Sequence, residues 1–217
     1  RDHCVTGVQT CALPIWTFIT AAVLYSVMLI TSCHSGRQEP DVSAIPLQLR
    51  IDRFEKDLFA MDTLRPGASI ENLKRKYGSF FNLFAFQVTS LGSRDSQLMQ
   101  DRFVQFVSDT NFRAVQQGID SVFGDFKPYE SKLTDGFKRY KYYFPNKVVP
   151  RVVTLLSAFS YPVVADSSVL GIGLDMYLGS GYPYYSTLEP PLPMYLRNRM
   201  RPEYVVLDAL RGWAESD

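Results

Sequence analysis

A chain of 217 residues with 46% hydrophobic and 21% charged side chains has room for one domain with a real core. A formal charge of +1 gives no electrostatic reason to expect a nucleic-acid partner, and the composition excludes collagen-like, low-complexity and highly charged disordered chains. The 3 Cys and 2 His are more informative, because their positions decide which chemistries remain open.

From His3 to Gly36 there is no Asp, Glu, Lys or Arg, and Ile15 to Ile30 is almost wholly apolar. That run of about sixteen residues is nearer a secretory h-region than the roughly 20 needed to span a bilayer. It ends in Leu29-Ile-Thr-Ser-Cys33, with an apolar residue three before the Cys and a small residue just before it. This pattern resembles the lipobox of bacterial lipoproteins, in which cleavage frees Cys33 and acyl chains are added to its sulfur and nitrogen. Several acyl chains anchor stably where one is marginal. An uncleaved membrane helix with an incidental Cys is the competing reading. The segment Cys4–Ile15 carries no cation ahead of the apolar run and resembles translated sequencing-adapter read-through. Residues 1–15 are therefore expected to be non-native, 16–32 to be the signal h-region, and 33–46 to be the lipidated Cys and a tether.

With Cys33 spent on lipid and His34 beside it on the tether, residues 47–217 contain no Cys and no His. That excludes disulfides, a thiol nucleophile, a Ser-His-Asp triad and an HExxH zinc site within the domain. Carboxylates, Lys, Tyr and hydroxyls are what remain for chemistry.

Leu47 to Phe54 alternates apolar and polar side chains, which predicts a half-buried strand. After a Pro66-Gly67 turn, Ser69 is placed to cap a helix with Ile70, Leu73 and Tyr77 on one side. Phe80 to Val88 is apolar nearly all round and reads as a buried helix. Three amphipathic helices follow, carried by Met99/Phe103/Phe106/Val107, Phe112/Val115/Ile119/Val122/Phe123 and Leu133/Phe137/Tyr140/Phe144. Their predicted signals are Asp95 or Ser96 as cap, Asp109 or Thr110 as cap, and a Pro145-Asn146 stop. Val152 to Leu156 suits a central strand, and Val163–Ala165 with Val169–Leu174 suits a hairpin across Asp166-Ser-Ser168. Pro183 to Pro193 is too rich in Pro for regular structure. A last helix, with Pro202 near its first turn and Val206, Leu210 and Trp213 on its apolar face, runs to Asp217 without a stop signal, the expectation for a domain truncated at its carboxyl end. Helices followed by a small sheet predict one α+β domain of amphipathic helices packed on that sheet.

Four features compete for a functional reading. Gly171-Ile-Gly173 with Gly179 and Gly181 lacks the third glycine of a dinucleotide fingerprint, Met176 standing there, so close backbone approach is preferred to nucleotide binding. Asp166 and Asp175 flank one strand and could form an acid/base pair or a calcium site, against the plainer role of a turn residue hydrogen-bonding its own backbone. Lys138-Arg-Tyr-Lys-Tyr-Tyr143 interleaves cations and rings, as nucleic-acid and lipid-headgroup surfaces do, but also sits where cations favour the negative end of a helix dipole. Tyr177, Tyr182, Tyr184, Tyr185 and Tyr195 crowd a Pro-rich loop, the composition of a partner-binding surface or of a loop packed on the sheet.

Three blocks, Ile51-Asp-Arg-Phe-Glu-Lys-Asp-Leu-Phe59, Val163-Val-Ala-Asp-Ser-Ser168 and Gly171-Ile-Gly-Leu-Asp-Met-Tyr-Leu-Gly179 with Tyr182-Pro-Tyr-Tyr185, together resemble the gliding-motility lipoprotein B (GldB) family. The resemblance implies a lipid-anchored envelope lipoprotein of gliding, Bacteroides-related bacteria, placed at the outer membrane on its periplasmic side. It further implies partners among gliding and secretion envelope proteins, a role in assembly or stability, and no catalytic, cofactor or metal residues. A more distant likeness to predicted zinc peptidases implies a degenerate zincin-like fold, whose zinc helix cannot bind metal in a domain without His. The alternative is an envelope hydrolase whose catalytic residues lie beyond Asp217 or use Asp166 and Asp175. Re-sequencing the locus checks the amino terminus: the expected result is a Met followed by Lys or Arg ahead of Trp16, and a confirmed Cys4–Ile15 refutes the adapter origin.

Overall fold

Of the alternating stretch that begins at Leu47, only Ile51–Arg53 pairs as a strand, β1, before the chain turns into a short helix, α1 (Phe54–Phe59). The predicted alternation does not hold through both: Leu49 is buried and Gln48 and Arg50 face solvent, but the buried side then shifts to Asp52 and Phe54, with Glu55 buried beside it. The structure, a computed structural model, describes residues 39–166 and 168–216. Cys33 and the apolar run before it lie outside the described residues. Val42–Asp217 forms one unit with its own core.

Helix α2 (Pro66–Tyr77) starts at Pro66 itself, so Pro66-Gly67 is its first turn rather than a turn ahead of it. Ser69 does not cap it. Its Oγ instead accepts from the Asp62 backbone N–H at 3.1 Å and ties the preceding loop to the helix. The apolar stretch after it is helical but not uniformly α: α3 (Ser79–Asn82) continues into a π-helical turn, Leu83–Val88. The wider turn leaves Phe86 exposed, lying against Gly92, while Phe80, Phe81 and Phe84 stay buried.

Helices α4 (Ser96–Ser108) and α5 (Thr110–Phe123) begin where the sequence places them. The Asp95 carboxylate accepts from the N–H groups of Gln97 and Leu98, and Asp109 accepts from those of Asn111 and Phe112. Helix α6 (Lys127–Tyr143) ends ahead of Pro145. Its buried face is Leu133 and Phe137, with Tyr140 half-buried and Phe144 exposed, so the predicted stripe dives into the core only at its start.

The sheet has strand order β1-β2-β4-β3, with β2 (Arg151–Leu155) and β4 (Val169–Gly173) in the middle. β1 and β4 run parallel to β2, and β3 (Val163–Asp166) runs antiparallel to β4 as the predicted hairpin. All five residues of β4 are buried, as expected for a strand covered on both faces. The mixed α+β class is as the sequence predicts.

After β4 come two 3₁₀ turns (Leu174–Tyr177 and Pro183–Ser186) and a one-turn helix, α7 (Met194–Arg197), that the Pro-rich composition did not announce. A 3₁₀ turn at Pro202–Tyr204 leads into α8 (Val205–Ser216). Its buried face is Val205, Ala209 and Trp213, one position off the predicted Val206 and Leu210, which lie half-buried on the flank. The small Ala209 and Gly212 let α8 come close to the sheet, and that close fit selects the face.

The first sequence block binds this architecture together. Phe54 sits among Tyr77, Phe80 and Phe84, with ring centroids at 4.8, 5.3 and 4.6 Å. Glu55 is fully buried and takes 2.6 Å and 2.7 Å hydrogen bonds from Arg53 Nε and Thr154 Oγ1. Arg53 Nη1 donates to the Phe123 carbonyl at 2.8 Å, and the guanidinium lies over Phe126. Asp52 accepts from Arg151 Nε at 2.7 Å, and Asp57 from the Tyr77 hydroxyl at 2.5 Å. Two acids of one short block thus clamp β1 and α1 to β2, and a third holds α1 to the end of α2.

In an open helix Gly→Ala adds about 1 kcal/mol of stability. A Cβ on Gly212 would stand 2.7 Å from Cγ1 of Val163, a stiff β-branched side chain on β3. Gly212→Ala is therefore expected to destabilise the domain by about 1–3 kcal/mol in urea unfolding, and a gain in stability would contradict this packing.

Candidate functional site

β4 delivers Leu174 and Asp175 into the interior, past the end of the sheet. Gly173 can take that path because its missing Cβ would meet the Tyr161 carbonyl at 2.1 Å. Asp175 is fully buried, and its carboxylate faces the turn that follows β2. Oδ1 accepts from the Ser157 N–H at 2.9 Å, and Oδ2 from the Phe159 N–H at 2.6 Å. The Ser157 hydroxyl lies 3.1 Å from both oxygens and itself accepts from the Tyr161 N–H at 3.2 Å. Within that turn Ala158 and Phe159 both have left-handed backbones, at φ 54° and 59°. Neither residue type favours that region, so the carboxylate stabilises a conformation the chain would not otherwise keep.

Burial pushes the Asp175 carboxyl up to about 6, with the hydrogen bonds from Ser157 and Phe159 pulling the other way. The group is therefore a buried acid held in place by donors on the turn. Asp166 is elsewhere. It pairs with Val169 at the start of β4, whereas Asp175 lies beyond Gly173 at its end, so the two do not converge on an acid/base pair or a calcium site. Among the described residues no group of three His, Cys, Asp or Glu side chains could hold a metal ion.

The Tyr-rich loop is built onto this acid. The Tyr185 hydroxyl donates to the Asp175 carbonyl at 2.7 Å and accepts from the Leu178 N–H at 2.9 Å. Tyr185 packs edge-on against Phe159 and Tyr182. Tyr182 and Tyr184 stack at 5.7 Å, and Tyr184 stacks on Phe159. Tyr177 and Tyr185 are buried, Tyr182 and Tyr184 half-buried, and Tyr195 is 70% exposed. Burial raises the hydroxyls of Tyr177, Tyr182 and Tyr185 above the usual phenol range, so all three are neutral hydrogen-bonding groups at physiological pH. The surface this loop offers is made of Tyr182, Tyr184 and Tyr195, while Tyr177 and Tyr185 hold it up from inside.

Beside the turn lies a cleft of about 460 Å³, within the size range of small-molecule sites. Phe159, Val163, Met176, Leu192, Leu196 and Met200 give it an apolar lining. Its charged groups are already matched: Arg199 pairs with Asp208, which also accepts from the Tyr177 hydroxyl, and Arg211 pairs with Glu215. Sequence reasoning did not find Ser157, Phe159, Arg199 or Asp208. No Gly or Asn marks the left-handed turn, and the Arg199–Asp208 pair joins two separate elements.

The protein-family model described as gliding motility protein GldB matches residues 35–217. No curated protein and no solved structure matches this chain.

The raised carboxyl gives a pH signature. Its folded pKa lies above the ordinary aspartate value of 3.8, so the folded state binds the extra proton between about pH 4 and 6, and the associated stability is lost as pH rises through that window. Relative to Asp175→Asn, the native chain is expected to lose about 2–3 kcal/mol between pH 4 and pH 7 in urea unfolding. Parallel pH profiles for the two proteins would show that Asp175 titrates normally.

Proposed function

The chain belongs to the gliding motility protein GldB family, and we propose on that footing that it is a lipid-anchored envelope component of the gliding apparatus that works by binding rather than by catalysis. Cys33 carries the acyl chains, palmitate among them, and the domain stands on the periplasmic side of the outer membrane. It supports assembly or stability of the gliding machinery and of the secretion machinery associated with it. Its partners are other envelope proteins of those systems, with no part for nucleic acid.

The observation that carries the non-catalytic reading is the state of Asp175. A catalytic acid must present an oxygen to substrate, whereas both oxygens here are engaged by Ser157 and Phe159 inside a closed turn. The three blocks that mark the family are spent in the same way. The first clamps β1 and α1 to the sheet, the second makes the β3–β4 hairpin, and the third holds the turn and seats the Tyr loop. Tyr182, Tyr184 and Tyr195 supply the partner contact, since aromatic side chains on a loop fixed from beneath lose little conformational freedom on docking. Among the described residues no helix is long and apolar enough to cross a membrane.

Complementation of a strain lacking the protein tests both halves. Cys33→Ala is expected to incorporate no labelled palmitate and to restore little or no gliding, and labelling equal to that of the native protein would remove the anchor. Asp166→Asn, at the exposed last position of β3, is expected to restore gliding in full. A stable Asp166→Asn protein that fails to do so would overturn the non-catalytic reading.

A further inference from the structure

The end of α6 and the loop that follows it leave apolar surface in water where nothing in the fold requires it. Every residue from 142 to 148 is exposed, and the run includes Tyr142, Tyr143, Phe144 and Val148, each more than half exposed. Cations are interleaved with these side chains: Lys138, Arg139, Lys141 and Lys147, with Arg151 just beyond. From residue 136 to residue 165 there is no Asp or Glu. The Lys141 ammonium donates to the carbonyls of Pro145 and Lys147 at 2.7 and 2.9 Å, which pins a positive charge inside the loop. A helix dipole accounts for cations at the end of α6. It does not account for three aromatic rings and a Val beside them.

The position of this segment in the fold supplies the second observation. The loop runs directly into β2, and β1 lies parallel to β2 with Ile51 opposite Val152. The chain entering the domain through residues 42–50 therefore arrives at the same end of the sheet as the aromatic loop. The last turn of α2, carrying Lys74, Arg75 and Lys76, ends there too, because Arg151 Nη2 donates to the Lys76 carbonyl at 3.2 Å. Carboxylates at this end pair with Arg50, Lys74, Lys76 and Arg151, whose partners are Asp52, Glu71 and Asp57. Asp166 is exposed at the neighbouring hairpin, and Glu39 and Asp41 lie on the incoming chain.

We propose that residues 142–148, with Lys138, Arg139 and Lys147, form a membrane-docking surface that seats on anionic phospholipid. The rings settle at the headgroup level, where aromatic side chains are favoured, and the cations meet the phosphates. The inference rests on the lipid-anchored reading in one respect, that an anchor at Cys33 holds this end of the domain near a bilayer. The roughly 14 residues of chain between Cys33 and Leu47 reach at most about 50 Å, so a domain docked through this face keeps its tether slack. The cleft and the Tyr loop then remain available to partners.

The test uses the unit 42–217, which has its own core and no Cys33, in co-sedimentation with phosphatidylcholine vesicles made with and without phosphatidylglycerol. Binding is expected to the anionic vesicles only and to fall as salt rises. Lys138→Glu with Lys147→Glu is expected to weaken it by at least about five-fold per cation. Tyr143→Ser with Phe144→Ser, both at exposed positions, is expected to weaken it further while leaving the thermal midpoint unchanged. No binding to either vesicle, or equal binding to both, overturns the proposal. So does loss of gliding in the Tyr143/Phe144 variant when vesicle binding is unchanged, which would assign the patch to a protein partner. The anchor itself is read separately by palmitate labelling at Cys33, so failure of one reading does not imitate failure of the other.

Discussion

The carboxylate of Asp175 is the constraint on which the end of the sheet that carries the aromatic loop depends. One buried acid holds the backbone of Ser157 and Phe159. The turn it stabilises exposes one face of Phe159 to the cleft and gives Tyr184 and Tyr185 a ring to pack against. Its own carbonyl accepts from Tyr185, which in turn receives the Leu178 N–H. Sheet, turn, aromatic loop and cleft are therefore mutually positioned through a single residue. A buried acid without such donors would cost several kcal/mol, so the four elements stabilise the acid as much as it stabilises them.

A similar economy governs the other end of the sheet. β1 is three residues long and could not hold its register by backbone hydrogen bonds alone. Arg53, Glu55 and Thr154 supply the missing specificity, because a one-residue slip would leave a charged side chain buried without its partner. Phe54 then fills the space between α2 and the π-helical turn.

Much of this was legible in the sequence, for identifiable reasons. Asp95 and Asp109 announce their helices because capping is local, and the β3–β4 hairpin shows because β-branched runs flank a short polar turn. On α8 Trp213 is buried as predicted, but Val206 and Leu210 were read one residue out, since the inner face there is chosen by contact with Val163 and not by bulk. The π-helical turn and the left-handed pair Ala158–Phe159 left no mark, because packing and a distant carboxylate impose them on ordinary residues. At the candidate site, the Tyr cluster and Asp175 were visible as residues, but which rings face outward depends on the route of the chain after Gly173.

The brevity of the two outer strands has a further consequence. β1 spans three residues and β3 four, and α8 lies against the latter. A sheet with such short margins offers an incoming chain only a few backbone groups to pair with, too few to start an intermolecular ladder. That geometry discourages strand-by-strand aggregation. Contact with neighbours is left to side chains, where the sequence can choose them.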